Sequence, residues 1–278
     1  MTLVSDSNFL LFTPMLAEAA SGAVEARHIS ASVRAVVSHT RFRCGTVEDI
    51  DPDHRTVRVI DRAGGTETIS YDHLILATGL VPYTFNLPGI DEFGWTLKSL
   101  SDATRLRDHV LERLERAAVQ PDRDQRRRIL TFVVAGGGFA GTETIAELFD
   151  RGIEIYPAIE PSDARFVLVH PGRRILPELS EELGGYAQRR LHARGIECPL
   201  GLRVSQATAD HVQLTDGRWI ATQTFVWTAG NQPSAVVANL SRQLWHGRRA
   251  GHRCGAARSW FRPRVGHRRL RTGSRPEQ

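Results

Sequence analysis

The chain has 278 residues, 41% hydrophobic and 24% charged, which is typical of a soluble globular protein with one large or two medium domains. Its net charge of +5 comes from the C-terminal segment, because residues 241–278 hold 11 arginines and one acid. Residues 1–240 have a net charge of −5, which is ordinary for an enzyme. Cys44, Cys198 and Cys254 form no CxxC pair, which argues against a disulfide framework, a zinc ribbon or a dithiol redox centre. No signal peptide or membrane-spanning apolar run is evident, so we expect a cytoplasmic protein without a metal site.

The first 99 residues predict short strands separated by turns. Residues 2–4 begin like an interior strand, and residues 10–16 predict a loop and a short helix with Pro14 near its start. Residues 73–79, His-Leu-Ile-Leu-Ala-Thr-Gly, predict a buried strand that ends in a glycine turn. Further strands are predicted at 40–47, at 56–60 and, after the turn at Gly64 and Gly65, at 66–70. The loop after residue 79 is rich in proline and glycine, which suggests a crossing between domains.

An amphipathic helix is predicted over residues 101–119. Ser101 is a suitable N-cap, and one face carries Leu106, Val110, Leu114 and Ala117. The charged residues 122–128 that follow predict a solvated loop, in preference to a nucleic-acid-binding patch.

The most informative segment is the apolar strand 129–135, which runs into Gly136-x-Gly138-x-x-Gly141 and then into a helix. Gly136 permits the tight turn, Gly138 lets the backbone approach a diphosphate, and Gly141 allows the helix to pack closely on the strand. The helix N-terminus then offers free N–H groups to the phosphates. The alternative is a glycine-rich turn without a ligand, but this context favours a nicotinamide dinucleotide site.

The rest of the chain continues the same pattern. Residues 165–170 predict the second strand of the nucleotide unit, 181–194 a helix stopped at Gly195, and 204–230 several short strands with an Asp216-Gly217 turn. The strands ending in Ala-Thr-Gly at 79 and Thr-Ala-Gly at 230 bracket the glycine loop on both sides. Such bracketing favours a nucleotide-binding domain inserted in another domain; the alternative is two routine turns.

Together these segments resemble type II NADH dehydrogenases, the FAD-dependent NADH:quinone oxidoreductases among the flavoproteins with two dinucleotide-binding domains. The resemblance spans residues 2 to about 239. The segments that carry it are residues 8–16, 71–79, 136–141 followed by Glu143, 156–161, 167–177 and 226–230.

The resemblance implies an α/β fold in which a Rossmann-like NAD(H)-binding domain is inserted in an incomplete FAD-binding domain of the same type. The implied boundaries are 1–99 for the partial FAD domain, 100–229 for the NAD(H) domain and 230–240 for a remnant of the FAD domain. A hydride would pass from NADH to FAD and electrons then to a quinone, and peripheral contact with the inner face of the cell membrane is a family trait whose domain is not visible here.

The resemblance also assigns the site residues. Glu143 resembles the family's glutamate near the nicotinamide and is the candidate catalytic residue; the alternative is a carboxylate that stabilises the helix N-terminus. The NADH loop would comprise Gly136, Gly137, Gly138, Phe139, Ala140 and Gly141, with Ala229 and Gly230 near the nicotinamide and Ala77, Thr78 and Gly79 beside the flavin.

Two departures from the family pattern concern the nucleotides. No GxGxxG precedes Gly136, so the chain is expected to start one βα unit late, and Ser5 stands where an acid would bind the FAD ribose. An NAD(H)-binding remnant without flavin is therefore the alternative function. His170 stands at the acidic position of the NADH unit, where Arg173 and Arg174 nearby would tolerate the 2′-phosphate of NADP(H). A surface histidine without that role is the other interpretation.

The last 38 residues, 241–278, lack periodicity and are rich in Arg, Gly, His and Trp. With 35 arginines to one lysine in the chain, we interpret this segment as a disordered basic tail read out of frame from a GC-rich gene. The alternative is a genuine tail that binds nucleic acid or anionic lipid. We expect no nucleic-acid partner, because the tail shows no binding motif.

Overall fold

A computed structural model describes residues 1–154 and 159–240 of the chain. The predicted tail at 241–278 and half of the family-like segment 156–161 lie outside the described residues. Within the described part no helix is both long and apolar enough to cross a bilayer, and no cluster of three or more His, Cys, Asp or Glu side chains is arranged to hold a metal ion.

Short strands and helices dominate the first hundred residues. They are β1 Thr2–Ser5, β2 Phe9–Leu11, α1 Leu16–Ser21, β3 Ser30–Ser32, α2 Val33–Val36, β4 Arg41–Cys44, β5 Thr46–Asp51, β6 Thr56–Ile60, β7 Thr66–Ser70, β8 Leu80–Pro82, α3 Ile90–Phe93 and β9 Trp95–Thr96.

Longer helices follow. The remaining elements are α4 Leu100–Ala118, α5 Arg123–Ile129, β10 Thr131–Ala135, α6 Phe139–Glu154, β11 Arg165–Val169, α7 Glu181–Ala193, β12 Val204–Ala207, β13 His211–Leu214, β14 Trp219–Ala221, β15 Thr224–Trp227 and β16 Asn231–Pro233.

The centre of the molecule is a parallel four-stranded sheet in the order β11-β10-β15-β9. All five residues of β10 are buried, as expected for a strand covered on both faces. Phe132 and Val134 face the core formed with α4 and α6. Val133 and Ala135 face the antiparallel sheet β12-β13-β14. Successive side chains of β10 thus point alternately into the two hydrophobic cores. Packing of the helices and the antiparallel sheet on the two faces of the central sheet fixes the carboxyl ends of its strands.

Helix α4 carries the predicted apolar face, since Leu106, Val110, Leu114 and Ala117 are all buried. Its predicted N-cap was wrong by two residues. Ser99 is the cap, because its hydroxyl accepts from the Asp102 N–H while the Asp102 carboxylate accepts from the Ser99 N–H, a reciprocal capping box.

The solvated loop predicted at 122–128 is a helix instead, α5. Asp122 caps it by accepting from the Gln125 N–H, and Ile129 at its end is buried. Arg126 donates to the carbonyl oxygen of Gln120 and to Asp163, which is almost wholly buried. Charge alone indicated a loop, whereas the cap and the tertiary ion pair stabilise a turn of helix.

The first part of the chain forms small separate sheets. Strand β1 pairs in parallel with β4, and β5, β6 and β7 form an antiparallel sheet, so the single strand predicted at 40–47 is divided at Gly45. Strands β8 and β16, which follow the two predicted crossings, pair antiparallel with each other.

The buried strand predicted at 73–79 was wrong. The segment is irregular and exposed, with Ile75 82% exposed, although Leu74 packs partly against the core of β5 and β6. An apolar run becomes a buried strand only when another strand satisfies its backbone groups. In the described part of the chain, β1 pairs with β4 alone and no strand pairs with 73–79.

Candidate functional site

A cavity of about 340 Å³ lies at the carboxyl ends of the central parallel strands. Open parallel sheets bind ligands at this edge, since the strand-to-helix loops converge there. The residues lining it are Pro82, Leu97, Lys98, Gly136, Gly137, Gly138, Phe139, Ala140, Gly141, His170, Pro171, Pro177, Glu178, Trp227, Thr228, Ala229, Gly230 and Asn231.

The glycine loop has the geometry that its sequence predicts. Gly136 has a φ of +113°, a conformation that other residues rarely adopt. A Cβ on Gly141 would overlap the carbonyl oxygen of Gly136, so α6 approaches β10 only because residue 141 has no side chain. At Gly138 the nearest atom to a Cβ would be the Glu178 Oε1 at 3.7 Å, which leaves space over the loop.

Helix α6 begins at Phe139, in the wall of the cavity. The N–H groups of its first turn have no acceptor within the helix, and the helix dipole makes this end favourable for an anion. Thr228, after β15, fixes the loop by donating its hydroxyl to the carbonyl oxygen of Ala135 at 2.8 Å. The arrangement suits a diphosphate held against backbone amides.

His170 follows β11 and forms part of the loop's wall. Its Nδ1 accepts a hydrogen bond from the Gly137 N–H at 3.0 Å, so the neutral ring carries its proton on Nε2. Burial lowers the pKa of His170, with Glu178 acting in the opposite direction, which favours that neutral ring. A Cβ on Gly137 or Gly172 would lie 2.8 or 2.7 Å from ring atoms of His170, so the ring fits because both residues are glycine.

Arg174, expected as a ligand of a 2′-phosphate, is engaged elsewhere. Its guanidinium donates to the carbonyl oxygens of Leu176, Pro177, Leu179 and Ser180 at 2.9–3.2 Å. Arg174 therefore stabilises the loop before α7. Of the two arginines expected near a 2′-phosphate, Arg173 is the exposed one.

Glu143, the candidate catalytic residue, lies outside the cavity lining. It is the fifth residue of α6 and is exposed near α1. Partial burial of the carboxyl group, with the Glu18 and Glu147 carboxylates nearby, raises the pKa of Glu143. Glu147 accepts a hydrogen bond from Ser21 of α1 at 3.0 Å, so this face of α6 joins the two helices.

The structure brings some of the predicted residues together and leaves others apart. The glycine loop, His170, Ala229 and Gly230 all line the cavity, whereas Ala77, Thr78 and Gly79 are exposed and do not. Thr78 lies 3.2 Å from Ser234, Oγ1 to Oγ.

Sequence reasoning missed two charged residues of the cavity, Lys98 and Glu178. Lys98 is the only lysine of the chain and follows the two-residue strand β9, which is too short to recognise from periodicity. Glu178 lies in an irregular loop before α7. The one available signal was the isolation of that single lysine in an arginine-rich chain.

Comparison with known proteins is consistent with this geometry. The chain matches the family described as pyridine nucleotide-disulphide oxidoreductase over residues 1–251. It is 32% identical to the external alternative NAD(P)H-ubiquinone oxidoreductase B4, mitochondrial, of Arabidopsis thaliana, over 94% of this chain and 47% of that protein. A probable NADH dehydrogenase of Dictyostelium discoideum is 29% identical over 87% of this chain and 55% of its own length.

The structure of NDH2 from Plasmodium falciparum in complex with NADH superposes with a TM-score of 0.80 at 21% identity, covering 85% of this chain and 51% of that one. The predicted α/β dinucleotide-binding fold is therefore confirmed. The chain spans about half the length of the relatives that it matches.

Proposed function

Because the chain belongs to the pyridine nucleotide-disulphide oxidoreductase family, we propose that it binds NADH in the cavity over the Gly136–Gly141 loop. We propose further that it is the nucleotide-binding part of a type II NADH dehydrogenase. The observation that carries the proposal is the cavity itself, where a buried strand, a glycine turn and a helix N-terminus meet at one edge of a parallel sheet.

Different residues of the cavity would contact different parts of NADH. The N–H groups at the start of α6 and the open space at Gly138 would hold the diphosphate. Ala229 and Gly230 lie in the part of the cavity wall where the nicotinamide would sit, and the apolar side chains of Leu97 and Trp227 in the same wall would exclude water from it. Glu143 would act on the nicotinamide side only after a movement of α6 or of its side chain, because it does not line the cavity.

The names of the relatives suggest the electron acceptor. The Arabidopsis protein is named an NAD(P)H-ubiquinone oxidoreductase, and the NDH2 structure contains NADH. We therefore propose a quinone as the final acceptor. Contact with the inner face of a membrane belongs to the same proposal, since a quinone is dissolved in the bilayer.

FAD, when bound, supplies the acceptor for the hydride. The described residues 1–99 do not complete a site for it. Ala77, Thr78 and Gly79 are exposed in an irregular segment, and no GxGxxG segment leads from a strand into a helix in this range.

This same observation favours a second candidate function, binding of NADH without flavin and without turnover. The visible absorbance of the purified chain distinguishes the two: a stoichiometric flavin band supports the enzyme, and a colourless protein that binds NADH supports the binding function. NADH oxidation with a soluble quinone, measured on the same sample, gives a second readout.

Calorimetric titration with NADH tests the site. Gly138→Asp places a carboxylate where the diphosphate would lie, and we expect it to weaken NADH binding at least about 10-fold through repulsion of like charges. Gly185→Asp is the matched control, because residue 185 lies on α7, away from the cavity, and its Cβ would meet only the end of Arg189 at 3.4 Å. Absence of heat for NADH and NADPH with the unaltered chain would refute the proposal.

A further inference from the structure

The end of the cavity next to β11 contains a carboxylate, that of Glu178, which the sequence did not predict there. The strand β11 ends at Val169, and the next residue is His170, in place of the carboxylate that commonly contacts the adenosine ribose. Glu178, eight positions further along the chain, supplies a carboxylate to the same cavity. Glu178 lies close to both the glycine loop and His170, because its Oε1 is 3.7 Å from the position of a Cβ on Gly138 and its charge acts on His170.

The position of Glu178 is set by its neighbours. Arg174 donates to the carbonyl oxygens of Pro177 and Leu179, the residues on either side of Glu178, at 3.2 and 2.9 Å. The Leu176 N–H donates to the carbonyl oxygen of Gly137. The segment that carries Glu178 is thus tied directly to the glycine loop, and its carboxylate is presented to the cavity by fixed backbone.

Among residues 1–154 and 159–240, few cations are free to neutralise a phosphate at this end of the cavity. Arg174 is occupied by backbone carbonyl oxygens. Lys98 follows β9, three strand positions from β11 in the sheet, about 14 Å away since neighbouring strands lie about 4.8 Å apart. Arg173 is exposed, and in the part of the chain that the structure describes it is the arginine near His170 in sequence that is left to meet a ligand.

An ionised carboxylate accepts hydrogen bonds and donates none, so it pairs with the hydroxyl groups of a ribose. A 2′-phosphate in the same position would bring between one and two further negative charges against Glu178. We propose that Glu178 accepts a hydrogen bond from the adenosine ribose and makes this site select NADH over NADPH. This inference rests on the proposed function, in which the cavity binds a pyridine dinucleotide.

The test compares the dissociation constants of NADH and NADPH for three forms of the full chain, by calorimetry. We expect the unaltered chain to bind NADH about 10-fold or more tightly than NADPH. In Glu178→Gln that ratio falls at least about 5-fold, because the ribose hydroxyl then meets a neutral acceptor in place of a charged one and the 2′-phosphate loses a repelling charge. Glu181→Gln removes the same charge from an exposed residue that does not line the cavity, and leaves the ratio unchanged.

Arg173→Gln provides the opposing measurement. If the site were built for a 2′-phosphate, Arg173→Gln would weaken NADPH alone, and Glu178→Gln would leave the preference as it was; either result overturns the inference. Equal affinities for the two nucleotides in the unaltered chain would overturn it as well, while the proposed function would stand. Failure of both nucleotides to bind would overturn the proposed function together with the inference.

Discussion

The stability of this protein should depend on pH through one half-buried histidine, His109 of α4. Its Nε2 lies 3.1 Å from the carbonyl oxygen of Gln223 and 3.0 Å from the Thr224 Oγ1, and its ring packs 4.6 Å from that of Trp95. Burial, reinforced by the positive charge of Arg113, lowers the pKa of His109 to about 4. The neutral ring therefore links α4 to β15 in the folded state.

The sign and size of the effect follow from the two pKa values. The unfolded chain takes up the proton near pH 6.5 and the folded chain only near pH 4, so between these values the unfolded state binds more protons. The contribution of His109 to stability is complete above pH 6.5 and is lost as the pH falls toward 4. At about 1.4 kcal/mol per pKa unit the limit is about 3 kcal/mol, and partial exposure of the ring reduces the expected loss to about 2 kcal/mol.

The assay is urea unfolding between pH 7.5 and 4.5, followed by circular dichroism, for the unaltered chain and for His109→Gln. Glutamine keeps a donor for the Gln223 carbonyl oxygen and does not titrate, so the difference between the two proteins isolates His109 from the other histidines. The free energy of unfolding of the unaltered chain should fall by about 2 kcal/mol more than that of the variant. Parallel pH dependences for the two proteins would refute this account of His109.

Two further predictions concern the cavity. Lys98 holds the only ε-amino group of the chain and lines the cavity, so bound NADH should slow the acylation of that amine. Lys98→Gln should also weaken NADH binding about 5-fold. Peptide mass spectrometry with and without NADH measures the protection of Lys98, and equal labelling in the two samples would exclude a contact. Gly141→Ala should destabilise the fold by about 1–3 kcal/mol, because its Cβ would overlap the Gly136 carbonyl oxygen and lie 2.7 Å from the Thr228 Oγ1. If the variant melts at the same temperature as the unaltered chain, α6 can shift away from β10 and this prediction is wrong.

Prediction from sequence succeeded where local pattern and tertiary environment agree. The strand β10, the glycine turn and helix α6 could be recognised because an apolar run, three glycines and a helical pattern stand in succession. The buried face of α4 followed from the spacing of Leu106 and Val110 alone. The prediction failed at 73–79, where an apolar run has no strand beside it in the described part of the chain, and at α5, where Asp122 and a buried partner for Arg126 decide the conformation.

The contacts of the site residues also depend on tertiary packing, which the sequence does not show. His170 could be singled out as a departure from an acidic position, but its bond to the Gly137 N–H depends on how β11 and the glycine loop pack. Arg174 has the charge expected of a phosphate ligand, yet it binds backbone carbonyl oxygens because the loop before α7 folds around it. Ala77, Thr78 and Gly79 match a family motif and still lie outside the cavity.

The sequence by itself determined the glycine loop, its strand and its helix, because the turn needs residues without side chains at fixed spacings, and these can be read from the chain. Only the tertiary structure decided which charges face the cavity. Lys98 and Glu178 reach it from β9 and from the loop before α7, at opposite ends of the sheet's strand order, so their meeting depends on strand pairing between distant segments.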